Sequence, residues 1–270
     1  MTAKILLVRA QGSSRTALVP SLGLATISSH LLNGGFDVAV YDQLVSPSEF
    51  TFGQAMESAK PALVGFSIYT NNMVRTQAMM DEVPLDTPIV VGGPHVTLNS
   101  HALLQHPRGL TIVAGEIGED IVDLARMTIQ TPPTSSRMYT QSDKVDIDNK
   151  ALPAVSTFYH YQAITDYPLR TSRGCPYRCS FCAVSALSGR TWMARKPESC
   201  MAEVDTAIAV LRNLKRVHIV DDCPTAKPAH LKTLLSLYAA KQRPEMIIDN
   251  VRADAVDDEL VVLAKNRRSR

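Results

Sequence analysis

Five short apolar runs in the first half of the chain constrain its fold more than any other feature. They read KILLV, DVAVYD, ALVGFSI, TPIVVGG and LTIVAG, and segments with helical periodicity separate them. Near-continuous apolar strands that alternate with amphipathic helices are typical of a parallel sheet buried on both faces. Residues 1–128 are therefore predicted to form a doubly wound, flavodoxin-like α/β domain with five parallel strands.

Glycines stand where the predicted strands end. Gly92 and Gly93 end the fourth run, and Gly115 ends the fifth, directly before Glu116. Open α/β sheets hold ligands at the carboxyl ends of their strands, so a binding site is predicted at this edge. A simple turn-forming role for these glycines is an alternative that position alone leaves open.

The second half of the chain shows a different pattern of apolar and polar residues. Residues 129–167 are polar, proline-bearing and aperiodic, which predicts a linker with room for a small hairpin. Residues 168–270 then show three β/α units, with strands at LRTSRG, RVHIVDD and EMIIDNVRA. Helical spacing marks the segments between and after them. The following residues carry that spacing: Met201, Val204, Ile208, Leu211, Leu231, Leu234, Leu235 and Tyr238.

Composition excludes several classes of protein. The formal charge is +2, which is too small to indicate nucleic acid or a membrane surface as a partner. No apolar run reaches the length of a membrane span, and no basic-plus-apolar leader opens the chain. A soluble, cytoplasmic protein is predicted.

Three of the five cysteines lie in the stretch SRGCPYRCSFCAVS. Cys175, Cys179 and Cys182 have the spacing CxxxCxxC, while Cys200 and Cys223 stand apart. An odd, clustered set favours metal ligation or catalysis over disulfides. Three thiolates in one loop can hold three corners of a cubane iron–sulfur cluster and leave the fourth iron without a protein ligand. A zinc site completed by Cys200 or Cys223, and unligated structural cysteines, remain alternatives.

The stretch SRGCPYRCSFC, with Phe181 just before the third cysteine, resembles the signature of the radical S-adenosylmethionine enzymes. The resemblance implies that Cys175, Cys179 and Cys182 hold a 4Fe-4S cluster. In that family the fourth iron binds the amino and carboxylate groups of S-adenosylmethionine, and reductive cleavage yields a 5′-deoxyadenosyl radical. A flavodoxin or ferredoxin is the kind of electron donor that the resemblance implies.

The same resemblance extends to VHIVDDCPT, which is similar to the end of the second barrel strand. It implies that Asp221 and Asp222 accept hydrogen bonds from the ammonium group of S-adenosylmethionine. A helix-capping role is the alternative for either carboxylate. Arg252 on the third strand and Phe181 near the adenine complete the implied contacts, and residues 168–270 are expected to form the N-terminal half of a radical S-adenosylmethionine barrel.

The first half resembles the cobalamin-binding domain that precedes the radical domain in one branch of these enzymes. VPSLGLATISSHLLNGGFDVAVYD, VGFS, IVVGGPHVT and VAGEIGED carry the likeness. It implies cobalamin contacts at small residues that leave room for a ligand close to the backbone, together with Glu116. The implied contact residues are Ser67, Gly92, Gly93, Gly115 and Glu116. The loop RAQGSSRT has no histidine, so histidine ligation of cobalt is not expected, and a domain that no longer binds cobalamin is the alternative.

The resemblance implies methyl transfer to an unactivated carbon or phosphorus of a small-molecule or peptide-derived substrate in a biosynthetic pathway. Rearrangement or cyclisation with the same cofactors is the nearest alternative. Members of the family continue beyond the third β/α unit, whereas this chain ends at NRRSR. We therefore expect a truncated or frameshifted product, or one half of a split enzyme, with a compact natural minimal form as the alternative. A non-catalytic remnant that binds only cobalamin and the cluster is the other functional alternative.

Overall fold

The computed structural model describes four stretches of the chain, residues 2–12, 19–140, 147–148 and 151–265. These stretches form two compact units. The first unit comprises the described residues of 1–145 and 151–161, and the second comprises those of 146–150 and 162–270. Each unit has its own parallel sheet.

The first unit is built on a six-stranded sheet. Its strands are β1 (Lys4–Arg9), β2 (Asp37–Asp42), β3 (Leu63–Ser67), β4 (Ile89–Gly92), β5 (Thr111–Ala114) and β6 (Arg137–Thr140). The order is β2-β1-β3-β4-β5-β6, and every pair is parallel. This is the flavodoxin-like strand order with one strand added, so the predicted doubly wound class is confirmed.

Helices connect these strands and cover the sheet. They are α1 (Leu22–Asn33), α2 (Phe52–Ala59), α3 (Met73–Glu82), α4 (Pro94–Leu98), α5 (His101–Leu104) and α6 (Ile121–Gln130). The Ser21 hydroxyl caps α1 by accepting a hydrogen bond from the Leu24 N–H. Strand residues such as Leu6, Val91 and Ile112 are completely buried, which explains why the sequence shows continuous apolar runs rather than alternation.

The prediction of five strands is wrong by one. β6 lies within the predicted linker and pairs with β5 from Arg137 to Thr140. An edge strand has a single neighbour, and the residues of β6 are only partly buried or exposed, so its sequence RMYT lacks an apolar run. Farther along, the Ala154 N–H donates to the Ala25 carbonyl over 2.9 Å, so this part of the chain also packs within the first unit.

The second unit contains three successive parallel β/α units. Its sheet strands are β7 (Asp166–Leu169), β10 (Arg216–Ile219) and β11 (Glu245–Ile248), in the order β11-β10-β7. Two short strands, β8 (Ser172–Arg173) and β9 (Met193–Ala194), form a separate antiparallel ribbon. The helices are α7 (Val184–Leu187), α8 (Pro197–Val210), α9 (Pro228–Ala239) and α10 (Asp258–Lys265). The predicted partial (β/α) architecture is confirmed.

The first strand of this unit begins earlier than predicted. The sequence placed it at LRTSRG, but β7 ends at Leu169 and the chain then leaves the sheet to form β8. Asp166 fixes the start of β7, because its carboxylate accepts hydrogen bonds from Arg216 (Nε, 2.7 Å) and His218 (Nε2, 2.7 Å). Pro168 is unfavourable in most strands, so the sequence did not predict a strand here. It is tolerated because, among the described strands, β7 pairs with β10 alone.

No helix in the described stretches combines the length and the apolar character that crossing a membrane requires.

Asp205 on α8 provides a test of packing in the second unit. Its carboxylate binds Arg243 (Nε, 2.9 Å) and Lys241 (Nζ, 2.9 Å) in the segment between α9 and β11. The hydrogen bonds from Arg243 and then Lys241 lower the pKa of Asp205 to about 2. We expect Asp205→Asn to reduce the free energy of unfolding at pH 7 by at most about 1 kcal/mol, because solvent screens a partly exposed pair.

The stabilisation by Asp205 should be complete above the unfolded-state pKa and should fade as the pH falls toward 2, where the folded carboxylate is protonated. Urea unfolding of both proteins from pH 7 downward measures this. Asp123→Asn is the control, since the side chain of Asp123 is 87% exposed beside Arg126 and should contribute little. A difference between wild type and Asp205→Asn that does not change with pH would contradict the assignment.

Candidate functional site

The cysteine loop follows β8 in the second unit. Cys175 is partly buried, Cys179 and Cys182 are exposed, and all three are free thiols. The backbone N–H of Cys175 donates to the Gly189 carbonyl over 3.3 Å, and that of Cys182 donates to the Cys179 carbonyl over 3.1 Å. The loop backbone is thus fixed near its start and within its last turn while its sulfur atoms stay accessible.

The structure explains why a glycine, Gly174, precedes the first cysteine. Its φ is +81°, and a Cβ placed on it would lie 2.3 Å from the Thr191 carbonyl oxygen. Its N–H donates to Oδ2 of Asp222 over 2.8 Å. Only glycine combines this backbone angle with this close approach, so the tight entry into the loop requires it.

Asp221 and Asp222 follow β10, as predicted, and the hydrogen bonds that their carboxylates accept come from other residues of the chain. Oδ1 of Asp221 accepts from the Thr171 N–H over 2.7 Å, and Oδ2 accepts from the hydroxyls of Thr171 and Ser172, both at 2.6 Å. Oδ2 of Asp222 accepts the hydrogen bond from the Gly174 N–H. Neither carboxylate caps α9, whose N-cap residue is Lys227, so the helix-capping alternative is not observed. The role of either residue toward S-adenosylmethionine stays a prediction.

Arg252 lies beside the cysteine loop, although not on a strand. β11 ends at Ile248, and Arg252 occupies the turn that follows. Its guanidinium stands 3.8 Å from the centre of the Tyr177 ring, a cation–π contact. It also pairs with Asp254 at 2.6 Å. Phe181, in the same loop as Tyr177, is 91% exposed, so the structure leaves its ring available to a ligand.

Cys223, one of the two cysteines that could have completed a zinc site, lies close to Cys175 of the loop. Its buried thiol is 3.9 Å from the Thr225 hydroxyl oxygen, and burial raises its pKa. The only sequence signal is that Cys223 directly follows Asp222 at a strand end. Cys200, in contrast, lies in the core on α8 near Arg195, where burial raises the pKa of its thiol to about 12.

The donor set fits an iron–sulfur cluster better than zinc. Within the described stretches, no three His, Cys, Asp or Glu side chains are arranged to hold one metal ion. A zinc ion needs four ligands around a single point. A cubane cluster has an iron at each of four corners, so three thiolates around it bind three different irons and do not meet at one atom. Cys175, Cys179 and Cys182 lie within one loop, as a set of such ligands would.

The predicted cobalamin residues lie at the carboxyl edge of the first unit's sheet. Ser67, at the end of β3, pairs in register with Gly92 at the end of β4. Gly93 has a φ of +109°, and a Cβ on it would lie 2.8 Å from the backbone N and O of Ile68. The close approach of the Ile68 backbone and the positive φ therefore account for a glycine at position 93.

The ends of β4 and β5 are joined at the same edge. The N–H of Gly115 donates to the Thr97 hydroxyl over 2.9 Å, and that hydroxyl donates to the Gly93 carbonyl over 3.1 Å. Gly115 has a φ of +94°, and Glu116 follows it directly. The structure thus brings the predicted residues of β3, β4 and β5 to one edge.

A buried ion pair at this edge was not predicted from the sequence. Arg9 ends β1 and Asp42 ends β2 as partners in register, with Nη2 and Oδ2 2.7 Å apart. Asp42 also accepts from the Ser21 N–H over 3.0 Å, and Arg9 donates to the Val19 carbonyl over 2.7 Å. Opposite charges at the ends of two apolar runs were the available signal. The second half of the histidine-free loop RAQGSSRT, residues 13–16, lies outside the described residues.

Asn72 joins the ends of β1 and β3, where the connections of the sheet diverge. Its Nδ2 donates to the Ala10 carbonyl over 3.1 Å, and its Oδ1 accepts from the Tyr69 N–H over 2.8 Å. Ligands of doubly wound sheets bind at this switch point. His95 also lies at the edge, and its Nδ1 is 3.0 Å from the Thr70 hydroxyl.

Gly93→Ala and Gly92→Ala form a matched test of this edge. Gly93→Ala should cost about 1–3 kcal/mol of unfolding free energy, because alanine would be forced into a positive φ against the Ile68 backbone. Gly92→Ala places its nearest new contact at an ordinary 3.6 Å, so stability should change little. Urea unfolding measures both variants. Equal stability of the two variants would contradict the assigned backbone conformation.

Comparison with known proteins adds independent findings. Residues 9–125 match the B12 binding domain family. The hopanoid C-2 methylase of Rhodopseudomonas palustris is 31% identical over an alignment of 143 positions, which covers 51% of this chain and 25% of that protein. The anaerobic magnesium-protoporphyrin IX monomethyl ester cyclase of Synechocystis is 25% identical over an alignment of 279 positions, which covers 93% of this chain and 55% of that protein. The chain thus spans between a quarter and about half of these relatives.

A solved structure extends the likeness to the fold. The radical S-adenosylmethionine methyltransferase TsrM of Kitasatospora setae, solved with cobalamin and a [4Fe-4S] cluster bound, superposes with a TM-score of 0.66 at 19% identity. The match covers 97% of this chain and 57% of TsrM. In its cysteine loop, its B12-binding match and its fold, the chain is similar to the radical S-adenosylmethionine proteins that carry a cobalamin-binding domain.

Proposed function

We propose that this chain provides the cobalamin-binding and cluster-binding parts of a radical S-adenosylmethionine methyltransferase that acts on an unactivated carbon. The observation that carries the proposal is the cysteine loop, whose accessible thiols follow a glycine held by Asp222. The match of residues 9–125 to the B12 binding domain supports the second cofactor. Relatives named as methylases, among them the hopanoid C-2 methylase, support the reaction class.

Each cofactor has proposed contacts in the chain. Cys175, Cys179 and Cys182 hold the 4Fe-4S cluster. Phe181, Asp222 and Arg252 lie on or next to that loop and are proposed contacts of S-adenosylmethionine. The chemistry that these groups supply when bound is abstraction of hydrogen from carbon and delivery of a methyl group. The proposed cobalamin contacts are Ser67, Gly92, Gly93, Gly115 and Glu116.

The chain's own residues orient these groups. The hydrogen bond from Gly174 to Asp222 positions the start of the cysteine loop, and the cation–π contact of Arg252 positions Tyr177 within it. A carboxylate accepts hydrogen bonds at about four positions, so Asp222 can receive an ammonium group while it holds Gly174.

The proposed partners follow from the same chemistry. The substrate is a small molecule or a peptide-derived compound, and electrons arrive from a donor such as a flavodoxin or ferredoxin. Free thiols without a disulfide pattern are typical of a reducing compartment, so we place the protein in the cytoplasm.

Cyclisation or rearrangement is the second candidate reaction. The likeness to the Synechocystis cyclase, which extends over 93% of this chain, favours it. The two reactions differ in whether a methyl group reaches the product. Incubation with S-adenosylmethionine that carries a labelled methyl group therefore separates them: label in the organic product supports methyl transfer, and an unlabelled cyclised product contradicts it.

The cluster assignment is tested by anaerobic reconstitution with iron and sulfide. We expect an iron-dependent chromophore, and deoxyadenosine from S-adenosylmethionine under reduction. Cys179→Ala or Cys182→Ala should abolish both, because each removes a thiolate from one iron. Cys200→Ala is the control and should keep both, since this thiol lies in the core.

Cys223→Ala decides between three and four protein ligands. With three ligands, the variant should bind as much iron as the wild type and should still form deoxyadenosine. A loss of iron as large as that of Cys182→Ala would show that Cys223 is a ligand, which would contradict a cluster with an iron open to S-adenosylmethionine. Full loading of the wild type by zinc alone would contradict the cluster itself.

A further inference from the structure

Asp221 is a buried carboxylate that the proposed function does not use. Its exposed fraction is 1%, yet the carboxylate receives three hydrogen bonds, from one backbone N–H and two hydroxyls. A buried charge is costly unless such donors compensate it. These contacts join Asp221 to Thr171 and Ser172, about 50 positions earlier in the chain.

The residues that Asp221 holds lead directly into the cysteine loop. Thr171 and Ser172 precede Cys175 by three or four positions, and Ser172 begins β8. The Thr171 carbonyl accepts from the Arg195 N–H over 2.9 Å, so Asp221 binds one side of this segment and the chain after β9 binds the other. The segment has no place in the main sheet, and these contacts fix its position instead.

Asp221 is also tied to the third β/α unit. Its backbone carbonyl accepts from Nδ2 of Asn250 over 2.9 Å, and Asn250 follows β11 with a φ of +59°. One residue therefore connects the end of β10, the chain that enters the cysteine loop and the turn after β11. That turn leads to Arg252, which contacts Tyr177 in the loop.

We propose that Asp221 is a positioning residue, which sets the geometry of the cysteine loop and makes no contact with S-adenosylmethionine. The inference rests on the proposed function, because it assumes that the loop holds a cluster. Three donors leave an ammonium group at most about one acceptor position on Asp221, and the group would have to enter a site with almost no solvent access. Asp222, its partly exposed neighbour, has one observed hydrogen bond to the loop and remains the proposed ammonium acceptor.

The test compares four variants of the 270-residue chain. Asp221→Ala removes the acceptor, and the double variant Thr171→Val/Ser172→Ala removes the hydroxyl donors while Asp221 stays. Asp221→Asn keeps one acceptor oxygen, and the two hydroxyls can rotate to suit it. Asp222→Asn is the matched control, since its amide oxygen can still accept from Gly174 while the negative charge is lost.

Two measurements separate positioning from binding. The first is the content of iron and sulfide per chain, together with the spectrum of the reduced cluster, before S-adenosylmethionine is added. The second is the affinity for S-adenosylmethionine. Asp221→Ala and the double variant should lose cluster content several-fold or show an altered spectrum, and Asp221→Asn should recover most of the wild-type content. Asp222→Asn should keep its cluster and lose affinity several-fold. Thermal unfolding and cobalamin binding check that each variant is folded.

The inference is overturned if Asp221→Ala and Asp221→Asn both keep a normal cluster and lose affinity for S-adenosylmethionine, which is the behaviour of a ligand-binding carboxylate. It is also overturned if the folded Asp221→Ala variant keeps both properties. A wild-type chain that takes up no cluster would instead contradict the proposed function, so the two failures are distinguishable. If Asp221→Ala does not fold, the double variant provides the same comparison with the buried carboxylate in place.

Discussion

Parallel pairing of strands is the constraint on which both units depend. Every pair in the two main sheets is parallel, so all strands of a sheet end at one edge. The helical crossovers make those ends distant in sequence and close in space. In the first unit this gathers the glycines of β4 and β5 beside Ser67. In the second it brings the aspartates after β10 to the chain that enters the cysteine loop.

Buried polar anchors then fix the segments that leave the sheets. Arg9 and Asp42 hold the chain that precedes α1, and Asp166 holds the start of β7. Asp221 holds Thr171 and Ser172. Such groups are satisfied only in one arrangement, and an unpaired buried charge is costly. They therefore specify the geometry of loops whose own sequences have little apolar surface to bury.

Much of the fold and of the candidate site could be predicted from patterns among residues that are close together in the sequence. The apolar runs predicted five of the six strands of the first sheet, and the CxxxCxxC spacing indicated the candidate cluster ligands. The predictions were wrong where tertiary contacts determine the local structure. β6 is an edge strand with a polar sequence, β7 contains Pro168, and Arg252 lies in a turn after β11 rather than on it. Each of these depends on a neighbour that is remote in the sequence.

The class of fold and the cysteine loop can be read from the amino-acid sequence, because hydrophobic periodicity and ligand spacing are encoded by residues close together in the chain. The partners of the polar residues depend instead on how the chain folds. Folding brings Cys223 close to Cys175, pairs Arg9 with Asp42, and gives the carboxylate of Asp221 three donors from about 50 residues away. Hydrogen bonds and ion pairs of this kind act over a few ångströms, and chain folding alone determines which groups come that close.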